Sequence, residues 1–236
     1  MRRLALLLAA FAAVGCSHGV KHVAPGACAK ARALATKHAA NHALRGDVDG
    51  DGVSDSVALV RLRSGYARCG AVLVVRTRRG TLTRAFRTVP DPRVPILNGL
   101  AALAAGRGLQ IVVTTWEGAS TAFASVFAVQ DHGITGLSTG TPDGTFPYEG
   151  SVTHFDAVDC VRGHPGLIVA SGWFERGMSG TDFGFVRRFY RVGRDRFEPV
   201  RRENGTSESS IPPRQRLREF AEPQPFPSCM RVRAAS

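Results

Sequence analysis

A run of alternating acids and glycines near the start of the chain constrains its fold more than any other feature. Residues 45–55 read RGDVDGDGVSD and place carboxylates at positions 47, 49, 51 and 55. Carboxylates crowded this closely repel one another unless a cation lies among them. Calcium takes about six to eight oxygen ligands at ~2.3–2.6 Å, and a glycine-bearing loop with this acid spacing supplies them. The sequence therefore predicts a calcium-binding loop over residues 47–55.

The expected ligands of this loop are side-chain and backbone oxygens together with water. Gly50 and Gly52 let the backbone curl around the ion, because glycine tolerates positive φ. The alternative is an acidic surface turn of the Asx and Gly type that binds nothing. The expected protein ligands are the carboxylates of Asp47, Asp49, Asp51 and Asp55 and the backbone carbonyl oxygen of Val53.

The loop lacks the continuation of an EF-hand. Counting from Asp47 as position 1, an EF-hand places a bidentate glutamate at position 12 and continues as a helix. Position 12 is Ala58, which lies in a β-forming run over residues 56–62 without helical period. GDVDGDGVSD followed by a strand resembles the DxDxDGxxD calcium loops of FG-GAP and VCBS-type repeats, the blades of integrin-α-like β-propellers. The resemblance covers one loop and one strand, and it implies calcium binding and blade-like antiparallel sheets.

The N-terminus has the features of a secretory signal. Residues 1–3 are short and positive, and residues 4–13 form an apolar stretch too short for a permanent membrane span. The small residue before Cys16 resembles the lipobox of bacterial lipoproteins, which implies that Cys16 is acylated and becomes the new N-terminus. Plain secretion and an uncleaved membrane anchor remain open alternatives. We expect a signal peptide over residues 1–15, a lipid-anchored tether over 16–26 and one β-rich domain over 27–236.

The cysteines fit export to an oxidising compartment. If Cys16 carries lipid, an even set remains, which suits two disulfides. The four cysteines allow three pairings. Of these we favour Cys28–Cys69, which would tie the expected N-terminal helix to the first sheet, and Cys160–Cys229, which would hold the C-terminal tail.

The chain is strongly basic, with a formal charge of +12. Cleavage after residue 15 would remove Arg2 and Arg3 and no acid, which lowers the charge by two to +10. A basic exported protein suits membrane attachment through its lipid and anionic envelope partners, such as teichoic acids, phospholipid head groups or acidic polysaccharide, or another surface protein. An arginine-rich, lysine-poor composition is also what a high-GC coding sequence yields. A basic motif interleaved with aromatics is missing, which argues against nucleic-acid binding.

Hydrophobic patterning predicts a mainly-β fold with one N-terminal helix. Residues 27–44 are rich in alanine and lack glycine inside, which favours a helix, and residues 98–105 favour a helical turn. Residues 202–236 look irregular, although Cys229 suggests that they are held to the body. The expected strands are Val53–Leu62, Ala71–Thr77, Leu82–Val89, Leu109–Thr115, Ala122–Gln130, Ile134–Ser138, Phe155–Val161, Leu167–Trp173, Gly184–Arg191 and Arg196–Arg201.

Three segments share a similar rhythm of strands. Residues 55–89, 108–138 and 166–200 each begin with a hydrophobic strand and continue with further strands. Their starts are spaced as propeller blades or stacked antiparallel sheets would be. We expect degenerate, propeller-blade-like antiparallel sheets in one compact domain, and a β-sandwich is the alternative.

No complete catalytic constellation is visible in the sequence. Ser120 follows Gly118 but lacks the final glycine of a nucleophile elbow, and it lies between two expected strands. His154 lies near Asp156 and Asp159, and an alternating strand would place His154 and Asp156 on one face. That arrangement suits a general base and the group that orients it, and it equally suits solvated polar residues.

Other candidate sites are incomplete. His38 and His42 share a helix face at the i, i+4 spacing of zinc ligands, but two imidazoles do not make a site. Asn204 begins a glycosylation sequon, which we interpret as a turn. An aromatic platform for a glycan or peptide would use Trp116, Trp173, Phe174 and Phe183, for which core packing is the alternative.

The function predicted from sequence is a cell-envelope calcium-binding lipoprotein with a non-enzymatic binding, adhesion or structural role. The alternative is a secreted surface hydrolase that uses a site such as His154 and Asp156.

Overall fold

The computed structural model describes ten ranges of the chain. The expected signal peptide, Cys16 and the tether lie outside them, as does His42. The ranges are 28–39, 43–62, 69–86, 93–104, 106–130, 133–140, 144–151, 153–176, 182–207 and 217–234.

Antiparallel strands dominate the described residues, which confirms the mainly-β class. The described ranges contain one α-helix, α1 Ala29–His38, and Arg218–Phe220 form a short 3-10 turn. The strands are β1 Leu44–Gly46, β2 Asp55–Arg61, β3 Ala71–Thr77, β4 Gly80–Phe86, β5 Ile96–Ala101, β6 Gln110–Glu117, β7 Ala122–Gln130, β8 Gly133–Gly136, β9 Phe146–Gly150, β10 His154–Cys160, β11 Leu167–Arg176, β12 Asp182–Val192, β13 Phe197–Ser207 and β14 Met230–Arg233.

The first sheet has four strands in the order β1-β2-β3-β4. Helix α1 covers one face, where Ala31 and Ala35 pack with Ala58 and Val72. Small alanine side chains let the helix lie close to the sheet. The disulfide Cys28–Cys69, with Cα atoms 6.0 Å apart, joins the start of α1 to the residues before β3, which confirms the expected pairing.

The second sheet has ten strands in the order β13-β12-β11-β10-β9-β7-β6-β5-β14, with β8 paired to β7 off this path. Its β5–β7 part is buried on both faces. Leu100 and Ile111 pack against the first sheet, while Ala101 and Val112 pack into a core shared with Ile168 of β11. The sheet therefore curls over a core of its own, and the helix and two sheets form a sandwich-like stack of layers.

The three rhythmic segments each form an antiparallel meander. Strands β2–β4, β6–β8 and β11–β13 pair consecutively within each segment. The second and third meanders belong to one continuous sheet, because β9 and β10 join them. Sequence reasoning did not predict β9 or β14.

Some local expectations are wrong. Helix α1 ends at His38, and Leu44 already belongs to strand β1. The expected helical turn at 98–105 is instead strand β5 with Leu103 after it, because an apolar run buried on both faces of a sheet resembles a helix in sequence. Asn204 lies in strand β13 and not in a turn.

The C-terminal segment is more regular than expected. Strand β13 continues to Ser207, and β14 pairs with β5 at the sheet edge. The second disulfide, Cys160–Cys229, confirms that the tail is held to β10. Two disulfides indicate an oxidising environment. Among the described residues, no helix has the length and hydrophobicity needed to cross a membrane.

Candidate metal centre

The acidic loop is the connection of a β-hairpin. Strands β1 and β2 pair antiparallel, and Gly46 lies opposite Asp55, so the ladder brings the two ends of the loop together. Gly50 and Gly52 have φ of 78° and 83°, which is the left-handed conformation that glycine tolerates. Strand β1 therefore lies between helix α1 and the loop.

The loop packs against the connection between β5 and β6. The backbone N–H of Leu109 donates to the carbonyl oxygen of Asp47 at 2.7 Å. A Cβ at Gly108 would lie 2.6 Å from the carbonyl oxygen of Val48 and 2.7 Å from the nitrogen of Gly50. Only a residue without a side chain fits there. Gly108 is thus a positioning residue that sequence reasoning missed, and the only available signal was the Gly-Arg-Gly sequence at 106–108 before a strand.

Three of the four predicted carboxylates converge. Asp47, Asp49 and Asp55 each offer an oxygen, and these atoms all lie within 4.8 Å of one another. Asp51 does not belong to this group; its Oδ1 accepts a hydrogen bond from the backbone N–H of Val53 at 2.8 Å. The side chain of Val53 is exposed, which leaves only its backbone as a ligand candidate.

Backbone N–H groups satisfy part of the cluster. The two oxygens of Asp47 accept from Gly50 at 2.7 Å and Gly52 at 2.9 Å. Oδ2 of Asp55 accepts from Val48 at 2.8 Å and from Asp49 at 3.3 Å. These bonds shape the loop and leave other carboxylate oxygens for a ligand.

Two oxygens of the cluster are buried without a partner. Within the described residues, Oδ2 of Asp49 and Oδ1 of Asp55 receive no hydrogen bond. Asp55 is only 2% exposed, so its carboxylate has little contact with bulk solvent. A buried unpartnered carboxylate oxygen is costly unless a cation or donor approaches it.

Burial sets the electrostatics of Asp55. Loss of solvation raises the pKa of its carboxyl above the ordinary value, and the charges of Asp49 and Asp47 raise it further. The N–H groups of Val48 and Asp49 oppose this by stabilising the charged form. A cation among the three carboxylates would reverse both destabilising effects.

The donor set fits a hard cation. All converging atoms are carboxylate oxygens, and the described residues add no histidine or cysteine to the group. Oxygen-only sites suit calcium better than zinc or copper. Asp47, Asp49 and Asp55 would hold the ion, and water would complete its coordination.

His154 and Asp156 form a pair, as strand alternation predicts. Nε2 of His154 lies 2.9 Å from Oδ2 of Asp156 on β10. Burial raises the pKa of the Asp156 carboxyl, while His154 and Arg188 lower it. Asp159 lies on the opposite face, where it binds Ser228 of the tail, so it is not part of this cluster.

The remaining candidates do not assemble into sites. Ser120 lies in the bend between β6 and β7, as expected. Trp173 and Phe183 are buried and pack edge to face with centroids 5.3 Å apart, whereas Phe174 is 42% exposed. Trp116 packs on Phe123 of the neighbouring strand with centroids 4.7 Å apart. The four aromatics therefore do not form one platform.

The comparisons with known proteins give no relative. No protein-family profile matches the chain, and neither the curated proteins nor the solved structures contain a match. The interpretation of the metal centre consequently depends on its own geometry.

Proposed function

We propose that this protein is an exported calcium-binding protein of the cell envelope, attached to the membrane through Cys16, with a binding, adhesion or structural role. The observation that carries the calcium assignment is the convergence of Asp47, Asp49 and Asp55 with two buried oxygens left unpartnered. The similarity of residues 46–55 to FG-GAP and VCBS-type loops supports the same ion.

The position of the loop supports a structural contribution of calcium. The loop closes the β1–β2 hairpin on one side and contacts the β5–β6 connection of the second sheet on the other, through Leu109 and Gly108. An ion bound there would hold the hairpin end against the second sheet. Residues 44–56 should therefore become more protected when calcium binds.

A binding role is favoured over hydrolysis by the location of the clefts. The sequence suggested a hydrolase that uses His154 and Asp156, and these side chains do contact one another. However, neither of the two clefts described below is lined by His154, Asp156 or Ser120. The first of these clefts lies beside the calcium loop instead, which supports ligand binding at that end of the molecule.

Calorimetric titration of the purified protein with calcium tests the proposal. We expect saturable binding to one site with a dissociation constant of about 10⁻⁴–10⁻³ M, the range of extracellular modules. Asp55→Asn keeps the size of the side chain and should abolish the binding. Glu222→Gln, an exposed carboxylate paired with Arg233, is the matched control and should bind normally.

Two results would contradict the assignment. One is the lack of both binding heat and a calcium-dependent rise in melting temperature, which would reduce the loop to an acidic turn. The other is equal binding by Asp55→Asn and the unmodified protein, which would place the ion elsewhere. Magnesium, titrated in parallel, should bind more weakly because it prefers a rigid octahedral site.

A further inference from the structure

A cleft of about 580 Å³ opens beside the metal loop. Val48, Asp49 and Gly50 of that loop form part of one wall. The β3–β4 turn, the β5–β6 connection and the β12–β13 turn each contribute an arginine: Arg79, Arg107 and Arg194. The end of strand β7 and Leu137 complete the lining. The cleft is therefore built from loops at one end of the sandwich, held together by the two sheets.

The lining of this cleft is cationic. Asp49 is the one acidic residue among the described residues of the lining, and it belongs to the carboxylate cluster of the loop. Among the described residues, neither Arg79 nor Arg107 forms an ion pair with a carboxylate. Within that part of the chain, no carboxylate neutralises these two charges, and they can act on a ligand.

Arg107 is held in place across the cleft. Its Nη1 donates to the backbone carbonyl oxygen of Gly193 at 3.0 Å, which links the β5–β6 connection to the β12–β13 turn. The neighbouring Gly108 packs directly on the metal loop. A guanidinium has five N–H donors, so one bond to Gly193 leaves donors for an anion.

A second cleft of about 540 Å³ continues from the first. The two share Ala104, Arg107 and Val192, and the second adds His164 and Arg191. Arginine side chains therefore follow one another along the two clefts, with Arg107 at their junction. Such a series suits a ligand that carries more than one anionic group.

We propose that the two clefts form a binding groove for a linear polymer with repeated carboxylate or phosphate groups. Arginine binds both kinds of oxyanion through parallel hydrogen bonds, and this geometry gives specificity beyond point charge. The proposal deepens the binding role proposed above and rests on it for the choice of an envelope polymer. The positive charge of the groove comes from arginines and not from calcium. The calcium site and the groove can therefore be disproved independently of each other.

Binding of two defined probes tests the groove. Sodium tripolyphosphate supplies repeated phosphates, and an oligogalacturonate of about six sugars supplies repeated carboxylates. Titrations use the full protein with calcium present and with chelator. We expect saturable binding of at least one probe, weakened about tenfold in Arg107→Gln, because a charge-assisted hydrogen bond contributes on that scale.

Three variants distinguish binding in the groove from attraction by the overall positive charge of the protein. The backbone N–H of Arg79 donates a hydrogen bond to Thr77, and this bond survives in Arg79→Gln. Within the described residues the Arg79 side chain forms no ion pair, so this variant should weaken binding severalfold without disturbing the fold. Arg231→Gln removes an equally exposed charge on β14 outside both clefts and should leave binding unchanged. Calcium titration of Arg107→Gln should match that of the unmodified protein, which distinguishes loss of the groove from loss of the metal site.

Probe binding by these variants decides whether the groove is a specific site. Weaker probe binding in Arg107→Gln and Arg79→Gln, but not in Arg231→Gln, supports the groove. The probe that binds more tightly identifies the oxyanion as phosphate or carboxylate. Failure of both probes to bind, or an equal loss in Arg231→Gln, overturns it. A ten-nucleotide oligothymidine that binds as tightly as the better probe would also overturn it, because this would indicate unspecific polyanion attraction.

Discussion

Asp55 and Asp159 are buried to the same extent but differ in how their carboxylates are satisfied. Each is 2% exposed, and burial raises the pKa of both carboxyls. Oδ1 of Asp159 accepts from Ser228 at 2.9 Å and Cys160 at 2.8 Å, and Oδ2 accepts from the Ser228 hydroxyl at 2.5 Å. Asp55 has one oxygen with donors and one without.

This difference separates a structural carboxylate from one that we propose binds an ion. The protein supplies its own donors to Asp159, and the result is a pinned C-terminal tail next to the Cys160–Cys229 disulfide. At Asp55 the protein instead brings two more carboxylates close, which raises the electrostatic cost. Burial alone therefore does not mark a metal ligand, and our proposal for Asp55 depends on its unpartnered oxygen among like charges.

Removal of the structural carboxylate should have the largest effect. Asp159→Ala leaves the backbone N–H and the hydroxyl of Ser228 without their acceptor, and we expect the free energy of unfolding to fall by about 2–3 kcal/mol. Denaturant titration with and without calcium measures this. The loss should be the same in both conditions, while the surface variant Glu222→Ala should show no measurable change. If the loss of stability depended on calcium, Asp159 would not differ from Asp55 in the way that we propose.

Displacement of the metal loop should have the next largest effect. Gly108→Ala forces a Cβ against the backbone of Val48 and Gly50. Overpacking of this kind costs about 1–3 kcal/mol, and it should also weaken calcium binding by moving the loop. Gly133→Ala is the matched control, because no atom lies within 4 Å of its Cβ position. Equal effects of the two substitutions would show that the close contact is unimportant.

The stabilisation that calcium provides should be smaller than the two preceding effects, and it should require Asp55. When the calcium concentration is tenfold above the dissociation constant, binding raises the free energy of unfolding of the unmodified protein by about 1.4 kcal/mol. Asp55→Asn should gain nothing from calcium. Thermal denaturation in calcium or chelator, with hydrogen exchange over residues 44–56, measures both the global and the local effect. Calcium stabilisation that survives in this variant would contradict the assignment of the ligand.

Asp51 should give the smallest effect. The acid spacing in the sequence predicts that it is a ligand equal to the others, but the structure directs its Oδ1 to the N–H of Val53. An asparagine can accept the same hydrogen bond. Asp51→Asn should therefore weaken calcium binding only severalfold, compared with complete loss in Asp55→Asn. Equal losses in the two variants would show that the loop rearranges to recruit Asp51.

Much of the local structure could be predicted from sequence. The strands Ala71–Thr77 and Ala122–Gln130 have the expected bounds, because β-branched and aromatic residues favour strands and turn residues flank them. The loop at 47–55 was evident from its acid and glycine spacing. The two disulfides agree with the favoured pairing among three possibilities.

Other features depended on contacts that sequence does not encode locally. The alanine-rich sequence favoured a longer helix than α1. The apolar run of β5 was predicted to be a helical turn, because a strand buried on both faces has no polar alternation. Strand β14 forms because Cys229 and Asp159 hold the tail where it can pair with β5. Local propensity does not report these long-range constraints.

The sequence by itself determined the oxygen-rich loop, the antiparallel strands and the excess of arginine, because these depend on residue type and spacing. The tertiary structure decided which carboxylates meet, since Asp55 reaches Asp47 through the β1–β2 ladder. It also decided that Arg79, Arg107 and Arg194, distant in the chain, line one cleft. The physical reason is that charge density follows from composition, whereas its convergence on one place requires the packing of loops from two sheets.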